Sequence, residues 1–223
     1  MLRVALLTLA TACAPKAPSP SMPAPPVDPP TATPAGPWER YADADFAFAF
    51  PSGWMPFPPA GAARIIVRSP GAGALAADET GAPLQVGLAV EVYDGPYTDP
   101  DAFSALVREG VEGDPAVERL HRVESWDVPV CGGFSGRLHV FEFDKAGTDR
   151  RSQYQKLSVV DSWGRGWIAL SWAVASRESR LVAGDSPLTL RLRPWVMAFC
   201  PAPGEIDFDA LRRGLEGAET GPG

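Results

Sequence analysis

Asp45–Trp54 reads DFAFAFPSGW, and its first half decides the fold class. Phe46, Phe48 and Phe50 alternate with Ala47 and Ala49, a period of two that belongs to a β-strand with one apolar face. Pro51 has no amide hydrogen to give to a ladder and ends the strand, Ser52-Gly53 turn the chain, and Trp54 can fold back over the sheet edge. Further along, Val86, Leu88, Val90 and Val92 alternate with Gln85, Gly87, Ala89 and Glu91, which predicts a second half-buried strand. Ile65–Val67, Val117–Val128, Phe134–Phe143, Tyr154–Trp163 and Trp167–Val174 carry the same signal. The last two are joined across Gly164-Arg165-Gly166 as a tight hairpin. Strands so patterned and so briefly connected make an antiparallel sheet.

One helix interrupts them. Asp99 supplies a cap and Pro100 suits the first turn, after which Phe103, Leu106, Val107, Gly110 and Val111 follow the spacing of a buried helical face. Ser186-Pro187 repeats the cap signal, and Leu188, Leu192, Trp195, Val196 and Phe199 share a stripe, which predicts a closing helix kinked at Pro194; Leu188, Leu190 and Leu192 fit a strand equally. This order implies an α+β fold, an antiparallel β-sheet flanked by helices.

An aromatic strand running into Phe50-Pro51-Ser52-Gly53-Trp54 resembles the Mog1/PsbP-like family, which includes DcrB-like proteins and several bacterial lipoproteins. The matching positions are Phe46, Pro51, Trp54 and Phe199, and the resemblance covers about Trp38 to Pro203. It implies an α/β sandwich and a binding or assembly role. It implies no catalytic residues.

The N-terminus reads as an address. Arg3 precedes the apolar run Val4–Ala12, which ends in Ala10-Thr11-Ala12 before Cys13, the shape of a signal peptide over residues 1–12. Nine residues rise about 14 Å as a helix, half of a bilayer's hydrocarbon core, so the run cannot span. The run ending at Cys13 resembles the lipobox of bacterial lipoproteins, with Ala10 where that family prefers Leu, and implies acylation of Cys13. Ordinary secretory cleavage at the same bond is the alternative. Residues 13–37 then form a lipidated, Pro-rich tether holding ten of the chain's 25 prolines, too poor in apolar side chains to fold. Residues 38–203 are the α+β domain and residues 204–223 a flexible acidic tail.

Charge and chemistry narrow the function by exclusion. The formal charge is −7 over 223 residues, with no basic cluster, which argues against nucleic acid. Gly133-Phe134-Ser135-Gly136 lacks the spacing of a nucleophile elbow and reads as a structural bulge. His121 and His139 have no further ligand at metal spacing, and no cofactor or metal is expected. With Cys13 acylated, Cys131 and Cys200 remain in a compartment that permits disulfides. Their pairing is expected, closing a loop that pins the closing helix to the sheet, with two buried thiols as the alternative. The tryptophans read as packing rather than as ligand platforms. The resulting expectation is a non-enzymatic lipoprotein of the cell envelope, its domain extracytoplasmic and lipid-anchored to a bacterial membrane, which binds an envelope protein or a small ligand. An extracytoplasmic hydrolase with a site assembled from loops is the alternative.

Overall fold

A computed structural model describes residues 38–69, 77–183 and 196–201. The signal, tether and tail segments, Cys13, and residues 186–195 of the expected closing helix lie outside the described residues. Among the described residues there are ten strands, which form two antiparallel sheets, and one α-helix. The small sheet has the order β1 (Trp38–Ala42), β2 (Ala47–Pro51), β10 (Phe199–Cys200). The large sheet runs β3 (Met55–Phe57), β4 (Ala63–Arg68), β5 (Gln85–Tyr93), β9 (Gly166–Ser176), β8 (Arg150–Val160), β7 (Ser135–Lys145), β6 (Val117–Pro129). The helix α1 (Pro100–Glu112) separates β5 from β6, capped by Asp99, whose side chain accepts from the Asp101 amide at 2.9 Å.

The large sheet has two faces, fixed by the pleat. On the inner face Val67, Leu88, Val90, Leu138, Leu157 and Ala169 are buried with the small sheet in one core. Its centre is an aromatic triangle in which Phe46, Trp167 and Phe199 have ring centroids 5.4 to 6.2 Å apart. Trp54 is buried, so it folds inward as a packing residue. The alternation in β2 hides more than a half-buried strand, because Ala47 and Ala49 are buried as fully as the phenylalanines.

Three expectations need correction. Phe199 is not on a helix: Val196–Met197 are helical, but Phe199–Cys200 form β10 and pair with Phe48 and Ala47 of β2. The segment around Gly133 is the turn of the β6–β7 hairpin rather than a bulge, with Gly132 and Gly133 at φ 68° and 79°. Cys131 on that turn and Cys200 in β10 are joined as a disulfide, with Cα atoms 5.4 Å apart. The bond therefore fastens a strand of the small sheet to a hairpin turn of the large one, and it does not pin a helix.

Two buried aspartates organise the ends. Asp161 accepts hydrogen bonds from the Trp163 and Arg165 amides, Arg165 Nε and Trp167 Nε1, closing the β8–β9 hairpin that Gly164-Arg165-Gly166 predicted. Asp78 does the same for Thr80, Ala82 and the Ser176 amide.

Candidate functional site

Among the described residues the outer face of the large sheet is only half covered, and the reason is geometric. Seven strands at about 4.8 Å spacing span about 29 Å, whereas one helix about 10 Å across covers two or three of them. α1 packs on β8, β7 and β6, setting Phe103 and Val107 against Ile168 and Val111 against Phe141 and Phe143. The helix meets β9 at Ile168 and β5 at Tyr93, and the rest of those two strands, with β4, lies beyond it.

An uncovered face of an antiparallel sheet is ordinarily polar. Here its middle is apolar. Register places Ile66, Ala89 and Leu170 in one row and Gly87, Trp172 and Tyr154 in the next, and these residues floor a groove with a cavity of about 500 Å³. The Trp172 indole lies over Gly87, where any Cβ would collide with it. Arg68 and Lys145 stand on the rim toward one end and Glu91 toward the other. Arg68 is exposed and sits over the Phe57 ring at 4.7 Å. Glu91 accepts from the Tyr93 hydroxyl at 3.0 Å, and burial together with that carboxylate pushes the Tyr93 phenol well above its ordinary range.

Under the N-terminal half of α1 the same face holds a second hollow of about 280 Å³, walled by Tyr93, Tyr97, Phe103 and Val107. Lys156 lines it. This side chain lies opposite Leu170 in β9 and His139 in β7, at the boundary between helix-covered and uncovered sheet. Burial lowers its pKa, an effect that Glu91 and Asp114 oppose from a distance. Among the described residues Lys156 makes no ion pair or hydrogen bond.

His139, which the sequence offers no metal partner, is buried beneath α1 between two serines. Its Nε2 is 2.7 Å from Ser104 Oγ on α1 and its Nδ1 2.7 Å from Ser125 Oγ on β6. Burial, with Arg137, Arg108 and Lys156 nearby, pulls it down to about 4, so the ring is neutral at pH 7, one nitrogen donating and the other accepting. His121 sits elsewhere, paired through Nε2 with Asp144 at 2.9 Å. No cluster of three metal-ligating side chains occurs among the described residues.

Of the residues singled out in the sequence, the structure joins Cys131 and Cys200 and leaves both away from the groove's lining. Trp54 and Trp167 pack in the core, Trp163 is 67% exposed, and Trp172 floors the groove. Lys156 and the Ser104–His139–Ser125 chain carry no sequence motif. Their only signal is parity, since Tyr154, Lys156 and Ser158 share the side of β8 opposite Gln153, Gln155 and Leu157.

No family model and no curated protein matches the chain. Among solved structures, LpqN of Mycobacterium tuberculosis, described as involved in cell envelope biogenesis, aligns at 15% identity over 74% of this chain and 91% of that one, with a TM-score of 0.44. PA94 of Pseudomonas aeruginosa, a protein of unknown function, aligns at 12% identity over 64% and 85%, with a TM-score of 0.38. Superpositions of that quality assign neither a family nor a role.

Proposed function

We propose that the chain is a lipid-anchored protein of the bacterial cell envelope whose Mog1/PsbP-like domain binds a ligand in the outer groove and works by binding rather than catalysis. The observation that carries this reading is the apolar floor on the half-covered sheet face: Ile66, Leu170, Trp172 and Tyr154 are only half-buried, although a solvated sheet face would carry polar side chains there. The envelope assignment is supported by the short apolar leader before Cys13, by the Pro-rich tether and by a disulfide of the kind that persists in oxidising compartments. The family assignment is supported by the order of elements, with the FPSGW turn after β2, one helix after β5 and four long antiparallel strands. A tether raises the effective concentration of a binding domain near its membrane.

Fractionation of cells carrying wild-type protein and Cys13→Ser tests the anchor. The wild type is expected with membranes and the variant in the soluble fraction, and a variant that stays with membranes overturns the anchor.

The hydrolase reading rests on one observation, the Ser125–His139–Ser104 chain, which has the distances of a nucleophile, base and orienting group. The bonds that suggest it also fasten α1 to β7 and β6. Labelling by a fluorophosphonate probe, abolished in Ser125→Ala, would establish it; an unlabelled wild type leaves the chain a structural clasp.

A further inference from the structure

On the reading of the outer groove as a binding site, we infer that its ligand is an amphipathic acid, an apolar chain or ring carrying one acidic head group, and that the Lys156 ammonium holds the head. Three observations converge on Lys156. It lines the hollow under α1 and is the row neighbour of Leu170 in the groove floor, so a head group on its ammonium leaves the attached body over apolar side chains. It makes no ion pair or hydrogen bond among the described residues. An ammonium half-withdrawn from water, with Glu91 and Asp114 acting on it only from a distance, is costly, and an acid seated on it offsets that cost.

Charge points the same way. The chain as a whole carries −7, yet the cations Arg68, Lys145 and Lys156 outnumber the single carboxylate of Glu91 around these two cavities. Glu91 is engaged by the Tyr93 hydroxyl and stands toward the end away from Arg68. A local excess of positive charge on an acidic protein recruits anions. The body of the ligand is set by the floor. The flat indole of Trp172, lying over Gly87, offers one face for stacking, and Ile66 and Leu170 offer aliphatic contact. A cavity of about 500 Å³ lies in the range of small-molecule sites.

Two fluorescent probes with one apolar body separate this inference from the reading beneath it: 1-anilinonaphthalene-8-sulfonate, which carries an acid, and N-phenyl-1-naphthylamine, which does not. Wild-type protein should bind both, the sulfonate more tightly. Lys156→Met should weaken the sulfonate about tenfold, the loss of one charge-assisted contact, and leave the neutral probe within about twofold. Glu91→Gln, which keeps a hydrogen-bond acceptor for Tyr93, should tighten the sulfonate about threefold, and it decides the matter if Lys156→Met fails to fold. Dodecanoate and 1-naphthoate as competitors distinguish a chain from a ring as the natural body, and dodecanol should compete poorly with the sulfonate. If the neutral probe binds but Lys156→Met and Glu91→Gln leave the sulfonate unchanged, the acid is wrong and the groove stands. If neither probe binds, the groove itself fails as a ligand site.

Discussion

His139 shows how one side chain sets a pH response. Its neutral ring is clasped by Ser104 and Ser125 and held down to about 4 against an ordinary 6.5. The unfolded chain therefore takes up a proton that the folded protein refuses, and the stability due to this group is whole above pH 6.5 and lost as pH falls toward 4. At about 1.4 kcal/mol per unit, the loss approaches about 3 kcal/mol. Urea midpoints measured across that window should fall steadily for the wild type. In His139→Gln they should start lower at pH 7.5 and be nearly flat; equal slopes would show that other groups govern the window. Asp78 and Asp161 act lower still. Their carboxylates are held below the ordinary 3.8, against the pull of burial, by the hydrogen bonds of the turns they organise, so their contribution is present above pH 3.8 and disappears below it. Gly87 carries a different constraint, since the Trp172 ring occupies the space of a Cβ. Gly87→Ala should cost about 1–3 kcal/mol by overpacking, read as a lowered urea midpoint together with a shifted tryptophan emission.

At the scale of elements, the disulfide does what a two-residue strand cannot do for itself. β10 pairs with β2 through Phe199 and Cys200, with one further bond from the Ala49 amide to the Ala198 carbonyl, and the bond to Cys131 closes a separation of 69 residues, which removes roughly 4 kcal/mol of unfolded-chain entropy. Replacing both cysteines by Ala should lower stability by up to that amount and loosen β10 first, seen as faster hydrogen exchange at Phe199 and Ala49; unchanged exchange there would mean that packing of Phe199 against Phe46 and Trp167 suffices. The elements also show what the sequence could and could not tell. Long strands with regular alternation and a capped helix were legible because their signals are local: α1 begins at Pro100 after Asp99, and β9 spans the predicted Trp167–Val174. β1 was not, because Glu39, Arg40, Asp43 and Asp45 surround Trp38 and Tyr41 with polar residues and leave no alternation to show their pairing with β2. Phe199 fits a helical stripe as well as a strand, and its partner Phe48, far away in sequence, decides between them. The groove escaped detection for the same reason. Lys156 looks like an ordinary solvent-facing lysine until register sets it beside Leu170 and the packing of α1 on β8 places it in the hollow under the helix.

For the whole molecule, the asymmetry between the two faces of the large sheet is the organising fact. One face is sealed by a second sheet around the Phe46–Trp167–Phe199 triangle, and the other is, among the described residues, half covered by one helix, leaving an apolar floor under a rim that is net positive on an acidic chain. On the proposed lipid anchor, a domain of this kind would be placed to meet amphipathic molecules at a membrane surface. The most direct test puts a photo-crosslinking amino acid in the full-length protein in living cells, at Gln85 on the groove or at Arg119 on the far edge strand β6, both exposed. The account predicts a discrete adduct from position 85 that is absent from position 119 and is diminished by Lys156→Met. No adduct at 85, or the same adducts from both positions, would contradict it.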